Sequence, residues 1–126
     1  MNGHDKLQLI GLVLFSLLTS FLCTFYGLNI LLAENVSRAV SIFAYVTAGY
    51  GAGNLYVLSW AWRGGSTWAV EANKVMGLCF LGVFIMDRVR GGDLNGVGVA
   101  SIMIATIMVG VNWQAVKKVV EVKGGG

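Results

Sequence analysis

The stretch WAVEANKVMGLCFLGVFIMDR, residues 68–88, decides whether this chain is read with three apolar helices or four. Its uninterrupted apolar part, residues 75–86, is twelve residues long, and Glu71, Asn73 and Lys74 stand just before it. The seven strongly apolar side chains there gain roughly 2–4 kcal/mol on a membrane-insertion scale, whereas one acid or base at mid-depth costs about 2.5–3.5 kcal/mol. Burying both Glu71 and Lys74 deeply would cancel the gain. They are therefore expected near an interface, with the segment short or supported by its neighbours. Counted over residues 68–88, it reaches the length of roughly 20 residues that crosses a bilayer, and it is read as a span.

Working outward, residues 7–33 carry no charge at all. As a helix they would be about 40 Å long, more than the roughly 30 Å hydrocarbon core, so the helix must tilt or enter the headgroups. The run is too long for the h-region of a signal peptide, and no A-x-A site follows it; it is expected to be retained as a helix. A short connection at 34–38 leads into a second apolar run at 39–62, which forces an antiparallel hairpin. The sequence Arg63-Gly64-Gly65-Ser66 then breaks the helix, since paired glycines punctuate. A charged loop at 87–95 precedes a fourth run at 97–113 and a basic amphipathic tail at 114–126 with Lys117, Lys118 and Lys123. The expected fold is all-α: one domain, an integral membrane bundle of four transmembrane helices, with the N-terminus and C-terminus both cytoplasmic.

Composition points the same way. Charged residues are 12% of the chain and hydrophobic ones 56%, with a mean hydropathy of +0.74, against about 25% charged in soluble domains. A soluble domain of 126 residues has much surface for its volume, and this chain lacks the polar side chains to cover it. The net charge of +3 is scattered over short loops, a pattern that sets membrane orientation and does not suggest nucleic acid. Cys23 and Cys79 lie inside apolar runs, form no C-x-x-C pair and are expected to pack as small hydrophobes.

With four spans, one side carries Lys6, Arg63, Lys74, Lys117, Lys118 and Lys123, and the other Arg38, Arg88 and Arg90. The positive-inside rule places the richer side in the cytoplasm. Trp60, Trp62, Trp68 and Trp113 fall at the same end, as interfacial anchors, although aromatic belts usually occupy both faces. Tryptophan is also enriched where proteins dock.

In the second run Gly49 and Gly53 form a G-x-x-x-G pair, with Ala48 and Ala52 one residue earlier. Small residues let helix backbones approach closely in lipid, within one chain or between chains. The first run has its own small stripe at Ser16, Ser20, Cys23 and Gly27. The fourth has a less regular one at Gly98, Ser101, Ala105 and Gly110. Asn29, near the outer end of the first run, and Asn54, past the midpoint of the second, are the most polar side chains inside spans. Each is expected to act as interhelical glue or to contact a pathway.

No Asp, Glu, Lys, Arg or His falls at the centre of a span, which argues against a proton-coupled transporter. Glu71 and Lys74, three residues apart on one helical face, are the nearest to such a group. His4 is the one histidine, and no triad, H-E-x-x-H or thiol pair is present. Asp87 and Asp93 beside Arg88 and Arg90 read as a polar loop. No catalytic residue, metal site or cofactor is expected.

The absence of proline favours a static bundle, since hinged spans often use proline or glycine. The leading reading is a structural or accessory subunit of a membrane assembly, partnered by the bilayer and by itself or other membrane proteins. A pore former is the alternative: small phage lytic proteins (holins) resemble this chain in size, few loops and basic tail, with no motif behind the likeness. A small dimeric transporter is the third.

Overall fold

The computed structural model describes residues 3–33, 37–64, 67–92 and 95–124. They form four α-helices: α1 (Gly3–Leu32), α2 (Arg38–Gly64), α3 (Trp68–Arg90) and α4 (Gly96–Gly124). Glu34, Asn35, Gly65, Ser66 and Asp93, which belong to the expected connections, lie outside the described residues. The described residues contain no strand.

Local chemistry sets several of the helix ends. The Ser37 hydroxyl accepts a hydrogen bond from the Val40 N–H at 3.2 Å, and Asn95 Oδ1 accepts one from the Gly98 N–H at 2.9 Å. These are N-caps that satisfy donors left over in the first turns of α2 and α4. At the end of α3, the Gly91 N–H bonds to Asp87 O and the Gly92 N–H to Val89 O. Gly92 has φ +71°, a left-handed conformation in which a side chain would be strained.

The 114–126 segment differs from a simple tail, because α4 continues through it to Gly124. Ala115, Val116, Val119 and Val120 are buried there. Three of them, Val116, Val119 and Val120, join Leu9, Val57, Leu58, Ala61 and Ala69 in one core cluster. Their helical spacing gives the segment an apolar face that completes the bundle, leaving Lys117 and Lys123 exposed.

The helices alternate in direction. Helix α2 touches α1, α3 and α4, and α4 touches all three others, whereas α1 and α3 do not meet among the described residues. The cross-section is therefore a diamond with α2 and α4 on its short diagonal. The α1–α2 contact is the closest: a Cβ built on Gly27 would lie 2.6 Å from the Ala44 carbonyl oxygen and 2.7 Å from Ala48 Cβ. A Cβ on Gly51 would collide with the Ser20 carbonyl oxygen and the Thr24 side chain. Glycine is required at both positions for the backbones to lie this near.

Small and polar side chains fill the interior. The largest of those fully enclosed are Val116, Val119, Asn54, Asn73, Asn112, Ser16 and Ser20. Many bulky apolar residues face outward, among them Leu14, Leu18, Phe25, Leu78, Met103, Ile104 and Ile107, while Phe43, Tyr50, Leu58 and Phe80 are buried. Exposed apolar surface of this extent marks contact with lipid or protein. Three helices, α1, α3 and α4, are long and apolar enough to cross a membrane; α2 falls short of that apolarity.

Gly51→Val should lower stability by about 1–3 kcal/mol, the usual cost of overpacking, whereas Gly49→Val should leave it unchanged because a Cβ there meets nothing within 4 Å. Unfolding by sodium dodecyl sulfate titration in mixed micelles, followed by circular dichroism, checks both.

Candidate functional site

Two groups of side chains stand out against the apolar background. The first is a buried amide network. Asn54 of α2 is 0% exposed, and its Nδ2 donates to Ser16 Oγ at 2.9 Å and Ser20 Oγ at 2.5 Å on α1. Its Oδ1 accepts a hydrogen bond from Asn73 Nδ2 on α3. Asn112 of α4 donates from Nδ2 to the Tyr50 hydroxyl at 3.0 Å, and its Oδ1 accepts from Thr19 Oγ1 at 3.1 Å. The Tyr50 ring lies stacked on Phe80, with centroids 4.9 Å apart. All four helices are thus joined by side-chain hydrogen bonds. Asn73 Oδ1 is the buried amide oxygen left without a partner among the described residues.

Helical spacing produces this arrangement. Ser16, Ser20, Cys23 and Gly27 step by three or four along α1, and all four are buried. Asn54 shares the inner face of α2 with Thr47, Tyr50, Gly51, Val57 and Leu58. On α3 the buried face is Ala69, Asn73, Gly77 and Phe80, which turns Asn73 inward while Glu71 and Lys74 stay exposed. Asn73 and Asn112 are the members that sequence reasoning missed. Asn73 sits between two charged residues and reads as part of their interfacial group, yet its register with Ala69 and Gly77 marks the inner face. Asn112 is in register with Ala105, Val109, Val116 and Val119, all buried; that pattern is the signal that was available.

The remaining sequence-derived candidates distribute as follows. Ala48 meets Gly27, and a Cβ on Gly53 would lie 2.6 Å from Met76 Sδ on α3. Gly49 and Ala52 face outward, so within the chain Gly49 and Gly53 do not share one helix contact. A full turn of four residues advances about 400°, and the drift moves Gly49 off the buried face. Asn29 is exposed and forms no part of the network. In α4, Gly98 and Ala105 are buried and Gly110 exposed. Cys23 is buried with its Sγ 3.9 Å from Met108 Sδ, and Cys79 is exposed; both are free thiols.

The second group is a set of aromatic rings and cations on the half of the bundle where α2 and α4 end and α1 and α3 begin, with Trp113 the deepest of them, next to Asn112. The Trp60 and Trp68 rings bridge α2 and α3 at 6.2 Å. Lys123 Nζ lies 4.6 Å from the Trp62 ring centre, Lys117 Nζ 5.0 Å from Trp113, and the Arg63 guanidinium 6.0 Å from Trp60. Each is within the range at which a ring quadrupole attracts a cation. At the opposite end, Arg88 lies 4.9 Å from the Phe84 ring, and no tryptophan accompanies it.

Chemically, the network consists of amides and hydroxyls that neither gain nor lose protons near neutrality. Among the described residues, no Asp, Glu, Lys, Arg or His falls among the buried residues, although the Nε of the half-buried Arg88 is enclosed, and no cluster of three or more His, Cys, Asp or Glu is placed to hold a metal. What the arrangement can do is fix helix register.

Asn54→Leu should destabilise the protein by about 1–3 kcal/mol, because it strands three buried partners, whereas Asn29→Leu should have no measurable effect. A double-mutant cycle of Asn54→Leu with Asn73→Leu in mixed micelles should return a coupling of about 0.6–1.7 kcal/mol, the range for such bonds in lipid.

No protein family, no curated protein and no solved structure matches the chain.

Proposed function

We propose that the chain is a four-span integral membrane protein of a cytoplasmic or inner membrane, with both termini cytoplasmic. Its role is that of a structural or accessory subunit in a membrane assembly, built with copies of itself or with other membrane proteins. The observation that carries this reading is that the polar side chains of the interior bond chiefly to one another. Ser16, Ser20, Asn54, Asn73, Tyr50 and Asn112 are joined in this way, with Asn73 Oδ1 left over, and no Asp, Glu, Lys, Arg or His joins them among the described residues. Such an interior holds helices together.

The outer face of α2 supports assembly. Gly49 and Ala52 point away from the bundle, between the exposed rings of Tyr45 and Tyr56. A small-residue notch on the outside of a helix admits a second helix at close range. Helix α2 spans despite its lower apolarity because its polar groups face inward, and the positive and tryptophan-rich end supports a cytoplasmic placement of the termini.

Light scattering coupled to size exclusion in mild detergent should give a defined oligomer, reduced to a monomer by Gly49→Leu while helicity is retained. A wild-type monomer would remove self-assembly from the reading, and single-channel conductance in planar bilayers would replace it with a pore. A green fluorescent protein fused to the C-terminus should fluoresce in bacterial cells, as it does only when it stays in the cytoplasm; a dark fusion of full length would reverse the orientation.

A further inference from the structure

A groove of about 330 Å³ runs between α1 and α2 at the end that carries the tryptophans. Its trough is Val13, Leu17, Leu55 and Leu58, and its mouth is Trp62 and Arg63. Lys123 does not itself line the groove, but its Nζ rests 4.6 Å from the Trp62 ring, so a second cation stands against the indole of the mouth. From Leu55 to Arg63 the helix rises about 12 Å, so the groove passes from the middle of the bundle to its rim and is charged at one end only. No carboxylate lines it.

Two other grooves lack this combination. The groove between α2 and α3 at the opposite end has Asp87 beside Arg90, so its charges oppose. The groove between α1 and α4 is lined by apolar and hydroxyl side chains with no charged group. A trough of apolar residues ending in two cations complements a molecule with an apolar chain and an anionic head. A helix of a second copy does not fit the dimensions: it is about 10 Å across, and two turns of it would displace far more than 330 Å³.

We propose that this groove binds one anionic phospholipid. The acyl chain lies along Val13, Leu17, Leu55 and Leu58, and the phosphate is held between the Arg63 guanidinium and the Lys123 ammonium. The inference rests on the membrane reading above. It agrees with the proposed orientation, because anionic lipids are concentrated in the cytoplasmic leaflet, where each basic residue near the surface contributes about 1 kcal/mol.

The test is native mass spectrometry of the full-length protein, titrated with phosphatidylglycerol or phosphatidylcholine of identical acyl chains. The wild type should retain phosphatidylglycerol in preference. Arg63→Gln and Lys123→Gln should each lower that preference about fivefold. Lys117→Gln, whose ammonium sits on Trp113 away from the groove, should leave it unchanged. Leu55→Trp should fill the trough and reduce retention of both lipids. Equal retention of the two lipids by the wild type, or an equal loss in Lys117→Gln, would overturn the proposal. Washing membranes with alkaline carbonate separates the two levels of failure. A protein released by carbonate is not membrane-spanning, whereas one that resists it yet shows no lipid preference loses the lipid site alone.

Discussion

The bundle depends on one amide. Asn54 uses both Nδ2 hydrogens on Ser16 and Ser20 and its Oδ1 on Asn73, tying three helices at one level. Those bonds form only if the α1 and α2 backbones lie close, which Gly27 and Gly51 permit. Each bond is worth little by itself in lipid, about 0.6 kcal/mol on average. An amide stranded in apolar surroundings costs more, about 1–3 kcal/mol. The network therefore acts chiefly by penalising other registers. Sliding α2 along α1 by one residue would carry Asn54 away from both hydroxyls and push a side chain into the Gly51 notch.

The proposed membrane setting accounts for why the interior is built this way. Between helices in lipid there is no hydrophobic driving force, so association must come from close packing and hydrogen bonds. The chain accordingly encloses serines, asparagines, alanines and valines and turns many of its leucines outward, although Leu9, Leu58, Phe43 and Phe80 are buried with them. The same logic resolves the apparent weakness of α2. Gly49, Tyr50, Gly51, Gly53 and Asn54 lower its apolarity, and three of them, Tyr50, Gly51 and Asn54, are buried against its neighbours. A helix with this many positions buried against its neighbours can be less apolar than the rest.

This logic also marks what could be read from sequence. The Ser16-Ser20-Cys23-Gly27 stripe is visible as spacing, and all four residues are buried on one face of α1. The helices themselves follow from the apolar runs, with α3 beginning at Trp68 as its length required. Other features were hidden because they depend on which face a residue takes. Asn73 looks interfacial beside Lys74 until the phase of Ala69 and Gly77 is followed, and Asn112 stands next to Trp113 where a polar residue is unremarked. The G-x-x-x-G pattern identifies small residues without saying what they face, and here Gly49 turns outward while Gly51, between the two, makes the tight contact. The amphipathic period of the tail is legible in its valines and lysines, but that it continues the fourth run as one helix is seen only in α4.

That continuation has a consequence for the charged rim. Lysines on an unstructured tail would sample many heights above the surface, and their field would be averaged over a Debye length of about 8–10 Å. On α4 they are held by the burial of Val116, Val119 and Val120, so Lys117 and Lys123 sit about 9 Å apart along the axis, each over its own indole ring. The core packing thus fixes the position of the charge. A substitution that loosened Val119 would blur the cationic rim without touching a single cation. The asymmetry between the two ends of the bundle is accordingly a property of the packed helix, beyond what counting lysines conveys.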